Sequence, residues 1–442
     1  MKKLFNIIDK IKYEYLDDFS FIILLLWTIC PLVEYYFKNY MYSYHKTYFS
    51  MIIYIIGMLG ILEYIVYFIK QKKEGLVSKR KYLCEILIST LLILGFIATI
   101  FSKDIRLSFF GEPYRKEGLI VYIMYIGFIL SASLIRADKN KKILARLIIF
   151  SALIIGILPL FRNNFTYKAF PNVFNQFNHY GYFLMISLML SIFMFINNKG
   201  IRKIFYLFVY IFLLYLLIRN DTFGCYLASS ISLIILFIYS LVKKYQRVSV
   251  IITVIIFVLI SFGVSHYDIK IGERVNLKST QGSVGKNIKT FFNDVNKALN
   301  EDNSKTNEIG TGRGYLWKKA LSYTMDHPLI GGGMECLHEY YNAQTVYYSD
   351  RPHNIILQIS SFIGIPGALI YLALIIIIAF NNLKNIHKNP INIMIYFTAM
   401  TYFISSMFGN SMYYTSPYFM ILLGLLIGLY RENNSKENLK EH

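Results

Sequence analysis

A histidine and an asparagine, His353 and Asn354, lead straight into an apolar run in the string DRPHNIILQISSFIGIPGALIYL, residues 350–372 of a 442-residue chain. Polar groups at the threshold of a membrane helix usually have a task or a buried partner. Asp350 can cap a helix and Pro352 suits a first turn, so a helix is expected to begin at about His353. At about 100° per residue, His353, Leu357, Ser360, Gly364, Gly367 and Tyr371 then share one stripe. Small and polar residues on an otherwise apolar helix face protein, and the glycines admit a neighbouring helix. The positive end of a helix disfavours protonating an imidazole, and a neutral imidazole facing a cavity is what a general base requires. The alternative is an interfacial histidine bonded to a neighbouring carbonyl.

Arginine supplies the second kind of chemistry. Arg106, Arg115, Arg162, Arg219, Arg313 and Arg351 all fall on the side of the expected topology where few cations belong. Arg grips phosphate oxygens bidentately, so such a cluster suits an anionic, phosphate-bearing ligand, although interfacial Arg also snorkels. In GTGRGYLWKKALSYTMDHPLIGGG, residues 310–333, Thr311 can cap a helix on which Arg313 and Trp317 share a face that Leu321 extends. Pro328 and Gly331, Gly332 and Gly333 end it in a turn whose backbone can approach a ligand closely. MECLHEYYNAQ reads as another short helix. There is no GxGxxG, Walker A or HExxH string, and Asp326, Glu335, Glu339 and Asp350 are scattered. Neither a metal nor a cofactor is expected. Cys30, Cys84, Cys225 and Cys336 form no disulfide framework and no CxxC pair.

The elements that position these residues are membrane helices. The chain is 55% hydrophobic and 17% aromatic with a mean hydropathy of +0.45, well beyond soluble composition. An all-α polytopic membrane protein with about 12 transmembrane helices is expected, near 19–37, 48–69, 82–101, 118–135, 143–160, 181–197, 204–218, 223–242, 248–265, 354–380, 390–408 and 416–430. No cleavable signal peptide is expected in the polar first 18 residues. Alternate connections on one side carry 26 of the 46 Lys and Arg; the other side carries 9 outside its long loop. Both termini are therefore expected in the cytoplasm, and the formal charge of +20 is a topological signal that leaves no nucleic-acid partner to invoke. The expected organisation is an N-terminal bundle at 1–265, an extracytoplasmic loop with short helices at 266–353, C-terminal helices at 354–430 and a cytoplasmic tail at 431–442.

His-Asn, nine residues, then Gly-x-x-Gly, preceded by the Arg313 segment, resembles the signature region of the bacterial O-antigen ligase and O-antigen polymerase family. SFFGEPYRKEGLIVYI and PNVFNQFNHYGYFL are similar to other segments of that family. The resemblance implies a GT-C type glycosyltransferase in the bacterial plasma membrane with an extracytoplasmic active site. It implies a donor glycan on a polyprenyl diphosphate, such as undecaprenyl diphosphate, a glycan, lipid or protein acceptor, and no metal. His353 matches the family's essential histidine and Arg313 its loop arginine; Asn354, Gly364 and Gly367 match supporting positions. Relatives carry a Ser-Arg-Gly where this chain has RNDTFGCYLA, with Phe223 at the place of that arginine. Arg219, one turn earlier, is the expected substitute, with Arg115 and Arg162 as alternatives. Ligase and polymerase are not separable from these residues. A lipid-linked oligosaccharide flippase is the competing class, against which stand the absence of an internal repeat and the long asymmetric loop.

Overall fold

The protein is described here from a computed structural model, which covers residues 8, 10–40, 48–113, 115–161, 172–174, 176–266, 313–344, 351–410 and 412–438. These residues form helices and connections: α1 (Tyr13–Tyr40), α2 (Tyr48–Lys73), α3 (Leu83–Ile100), α4 (Ile105–Phe110), α5 (Leu119–Ala132), α6 (Asp138–Phe161), α7 (Phe177–Asn197), α8 (Gly200–Arg219), α9 (Phe223–Lys243), α10 (Arg247–His266), α11 (Arg313–Asp326), α12 (Cys336–Gln344), α13 (Ile355–Asn385), α14 (Pro390–Ser406) and α15 (Ser416–Asn438). Each expected apolar stretch overlaps a helix. Among the described residues eight are long and apolar enough to cross a membrane: α1, α2, α3, α7, α8, α9, α10 and α13. The chain is a membrane protein.

The long helices alternate in direction, so their connections gather at two ends. At the Lys- and Arg-rich end, the Asp17 carboxylate accepts the Arg136 and Ala137 backbone N–H groups at 2.9 and 2.8 Å, which ties the start of α1 to the start of α6. At the same end Arg431 of α15 donates to the Ser133 carbonyl beyond α5. The core is centred on α7, whose side chains from His179 to Ile196 are all buried. A helix apolar all round belongs inside a bundle.

At the other end the chain folds a small helical cap, α11 and α12, against α13. The face of α11 that packs is Leu316, Ala320 and Thr324, against Leu337, Tyr341 and Leu357. Leu321 is 53% exposed, so the face expected from Arg313, Trp317 and Leu321 is not the one that docks. The Thr324 hydroxyl lies 3.1 and 3.2 Å from those of Ser360 and Ser361, and each of the three also donates to a helix carbonyl.

The seat of the cap is a break in α13. Ile363 and Gly364 leave helical geometry, and Gly364 has a φ of +77°. Pro366 has no N–H for the Phe362 carbonyl, and the Ile365 N–H bonds instead to the Pro328 carbonyl at 2.8 Å. The turn after α11 supplies the missing donors: Gly332 N–H to the Ser361 carbonyl at 2.9 Å and Gly333 N–H to the Phe362 carbonyl at 3.0 Å. The triple glycine, read from sequence as a close approach to a ligand, instead approaches the broken helix. The helical stripe expected from His353 to Tyr371 is interrupted at the same break. Replacing Gly364 with alanine would drive a Cβ into the Leu329 carbonyl oxygen in a backbone conformation that excludes side chains. A loss of at least about 1–3 kcal/mol is expected from the conformation alone. A lower melting temperature, together with faster proteolysis between α11 and α12, is the readout.

Candidate functional site

The start of α13 departs from expectation. Asn354, not Asp350, is the N-cap: its side-chain oxygen accepts from Ile356 N–H at 3.0 Å and Leu357 N–H at 3.1 Å. Its amide nitrogen donates to the Met407 carbonyl at 3.3 Å, fixing α13 to the turn after α14. Pro352 therefore precedes the helix, and Asp350 and Thr311 lie outside the described residues. His353 sits just before the cap in a left-handed conformation, φ +56°. That geometry costs a non-glycine residue of order 1–3 kcal/mol and persists where surrounding structure imposes it. The ring is met by Asn410, whose amide nitrogen lies 3.1 Å from His353 Nε2. Lys116, Asp221 and Glu335, also left-handed, lie at this same end.

Arg351 is the best-buried cation here, 1% exposed. It donates to Glu117 at 2.7 Å and to Glu335 at 2.5 Å, with its guanidinium over the Phe362 ring. Glu117 also accepts from the Tyr125 hydroxyl. The triad joins the connection before α5, the start of α12 and the segment leading to His353. Arg351 is thus a strut whose charge is already met, and the expectation that it contributes a cation for a ligand is corrected.

Arg313, first residue of α11, is different. It is half-buried, and burial pulls its guanidinium below the usual arginine value, partly offset by the nearby Tyr182 and Cys225. It stays charged in any case. Tyr182 donates to the Ser405 carbonyl at 3.0 Å and its hydroxyl lies against Gly409, so Arg313, near Tyr182, and His353, against Asn410, are both brought to the turn 405–410. Trp317 is half-buried one turn along, with its Nε1 buried and unbonded among the described residues. Gly367 packs on the Ile363 side chain across the break.

Arg219 closes α8 at the same end, its guanidinium 6.0 Å from the Tyr215 ring centre. The next residue, Asn220, donates to the Phe177 carbonyl at 2.7 Å, and Gly224 lies against Phe408 in the 405–410 turn. Arg115 is buried in the connection before α5, two residues from Glu117. Arg162 and the loop from 267 to 312 lie outside the described residues. Asn410, Tyr182 and Glu117 are the residues that sequence reasoning missed, and Glu335, which reads in sequence as one of several scattered carboxylates, is a partner of Arg351. The only signal for Asn410 is the polar Gly-Asn-Ser interruption at 409–411.

Beside this cluster lies an apolar cleft of about 1030 Å³ between α3, α5, α13, α14 and α15. Ile355 and Ser406, neighbours of Asn354 and Met407, line its site end, and Tyr122, Tyr371, Ile129 and Leu423 carry its wall down the bundle. Gln358 donates to the Tyr122 hydroxyl at 3.2 Å on that wall.

A polytopic helical bundle bearing a docked cap, with His353 and Arg313 around one turn beside a long apolar cleft, is the class of protein that the fold and site define. The family model described as O-antigen ligase matches residues 208–372, so this segment is similar to that family. The match contains Arg219, Arg313, Trp317, His353, Asn354, Gly364 and Gly367, whereas Arg115, Glu117 and Asn410 lie beyond it. A comparison with curated proteins finds no match.

Proposed function

We propose that this protein is a metal-independent GT-C type glycosyltransferase of the plasma membrane, with about twelve spanning helices and both termini in the cytoplasm. It transfers a glycan from a polyprenyl diphosphate, undecaprenyl diphosphate in a bacterial envelope, to an acceptor hydroxyl at the outer face. The observation that carries this reading is the apolar cleft whose end, at Ile355 and Ser406, adjoins the turn that His353 meets through Asn410, which suits a donor with a long hydrocarbon tail and an anionic head.

The chemistry follows from the residues. With the Asn410 amide turned so that its oxygen accepts from Nε2–H, the unprotonated Nδ1 of His353 takes the proton of the acceptor hydroxyl. The hydroxyl oxygen forms a bond to the anomeric carbon as the bond from that carbon to the diphosphate oxygen breaks, and the diphosphate leaves with the electron pair. Arg313, a partly desolvated cation, meets the charge developing on that leaving group, where fixed charges contribute most. Arg219 supplies a second phosphate contact in place of the family's missing arginine, with Arg115 and Arg162 as alternatives. Asn354 holds the turn.

The test compares surface glycan and lipid-linked glycan in host cells lacking the gene and complemented with wild type, Arg313→Ala or Arg219→Ala at matched protein levels. Accumulation of short lipid-linked units in the variants assigns a polymerase; long unattached lipid-linked chains assign a ligase. Wild-type profiles from Arg313→Ala would remove the transferase reading and raise a flippase in its place, and an active Arg219→Ala would return the second contact to Arg115 or Arg162.

A further inference from the structure

The opposite, basic end of the bundle holds two adjoining cavities that the transfer reaction does not use. One, of about 950 Å³, is lined by Lys142, Arg146, Asn198, Arg202 and Asn389, with the Asp138 carboxylate at its edge. The second, of about 710 Å³, shares Arg146 and Arg202 and continues along Ile201, Phe205 and Tyr206. Asp138 is already engaged: it accepts from the Asn389 side-chain amide at 2.7 Å and lies 3.9 Å from the Lys141 ammonium. Among the described residues Lys142, Arg146 and Arg202 have no carboxylate within ion-pair distance. Three cations therefore converge on a space containing one carboxylate that has partners of its own.

The walls say which anion fits. Ile201, Phe205 and Phe208 on α8 are 77%, 54% and 67% exposed, as is the lipid-facing side of a membrane helix, so the second cavity opens from the cations onto a hydrocarbon surface. The first turn of α8 adds backbone N–H groups, since Lys199 provides no side-chain cap. Arginine pairs oriented this way grip phosphate oxygens, and basic pockets between membrane helices are suited to anionic headgroups.

We propose that this pair of cavities binds an anionic phospholipid of the adjoining leaflet, its phosphodiester between Arg146 and Arg202 and its acyl chains along Ile201 and Phe205. The site is separate from the transfer site and does not depend on the function assigned there.

The test uses full-length protein in a neutral detergent, with lipid retention read by native mass spectrometry. Phosphatidylglycerol is the probe, phosphatidylcholine the neutral comparison and inorganic phosphate the competitor. Wild type should retain phosphatidylglycerol over phosphatidylcholine, and Arg146→Gln/Arg202→Gln should lower that retention at least tenfold while the circular dichroism spectrum stays unchanged. Lys72→Gln/Lys243→Gln removes the same charge at the same end without lining either cavity, and should retain the lipid as wild type does. Equal loss in both double variants would mean a general surface field and overturn the site. Unchanged retention in Arg146→Gln/Arg202→Gln would overturn it too. Displacement by millimolar phosphate would overturn the assignment to a lipid. Should the arginine variant misfold, Phe205→Ser decides: weaker phosphatidylglycerol retention supports the acyl path, and unchanged retention refutes it.

Discussion

Replacing His353 with alanine is expected to lower glycan transfer by about 10²- to 10⁴-fold, the usual contribution of a positioned general base. Protein level and melting temperature should stay near wild type. The Asn354 side chain, which caps α13 and bonds to the Met407 carbonyl, fixes the chain next to position 353 and is left in place by the substitution. Asparagine tolerates the left-handed conformation at 353 better than most residues, so His353→Asn separates chemistry from folding: it should be as inactive as alanine and at least as stable. The wild-type rate should fall as acid protonates the imidazole, and the residual rate of either variant should lack that acid limb. Asn410→Ala is expected to reduce the rate less and to alter the pH profile, because it loosens the ring without removing it. A His353→Asn protein that transfers glycan at the wild-type rate would end the assignment.

Much of this site was legible from residue types. Hydropathy places apolar stretches where helices stand, because a backbone in lipid must satisfy itself within each segment. The His-Asn motif and the Arg313 segment pointed to the family that the match over 208–372 bears out. What sequence could not show is pairing across distance. Arg351 reads as one more rim cation until Glu117 and Glu335, far from it in the chain, are seen on either side of its guanidinium. The glycines of 331–333 were assigned freedom to meet a ligand, yet their N–H groups replace donors that Pro366 and Ile365 withdraw from α13. A local pattern names a turn correctly without naming what the turn packs against. Asn354 shows the same limit: its cap follows from residue type, but its second bond, to Met407, depends on how α14 ends.

Arg351→Met is expected to be the most destabilising single change at the site. It leaves Glu117 and Glu335, 1% and 0% exposed, without the cation that offsets their burial. Breaking a buried ion pair in this way costs about 3–5 kcal/mol, a large share of the roughly 5–15 kcal/mol that holds a domain folded. The loss should be read as a lower melting temperature and as early proteolysis of α11 and α12, since the triad is what joins the cap to the connection before α5. Transfer should fall with it, because His353 stands two residues from the strut. Arg351→Lys should recover little, since an ammonium is a point charge that lacks the guanidinium's two-sided fork. The decisive comparison is Arg351→Met with Glu117→Gln and Glu335→Gln. Neutralising both carboxylates removes the uncompensated charge, so the triple variant should regain most of the lost melting temperature. If it regains transfer as well, Arg351 acts only by holding the cap in place. A triple variant that is stable but still inactive would mean that Arg351 also sets the charge seen by the donor, and the strut would then belong to the catalytic machinery.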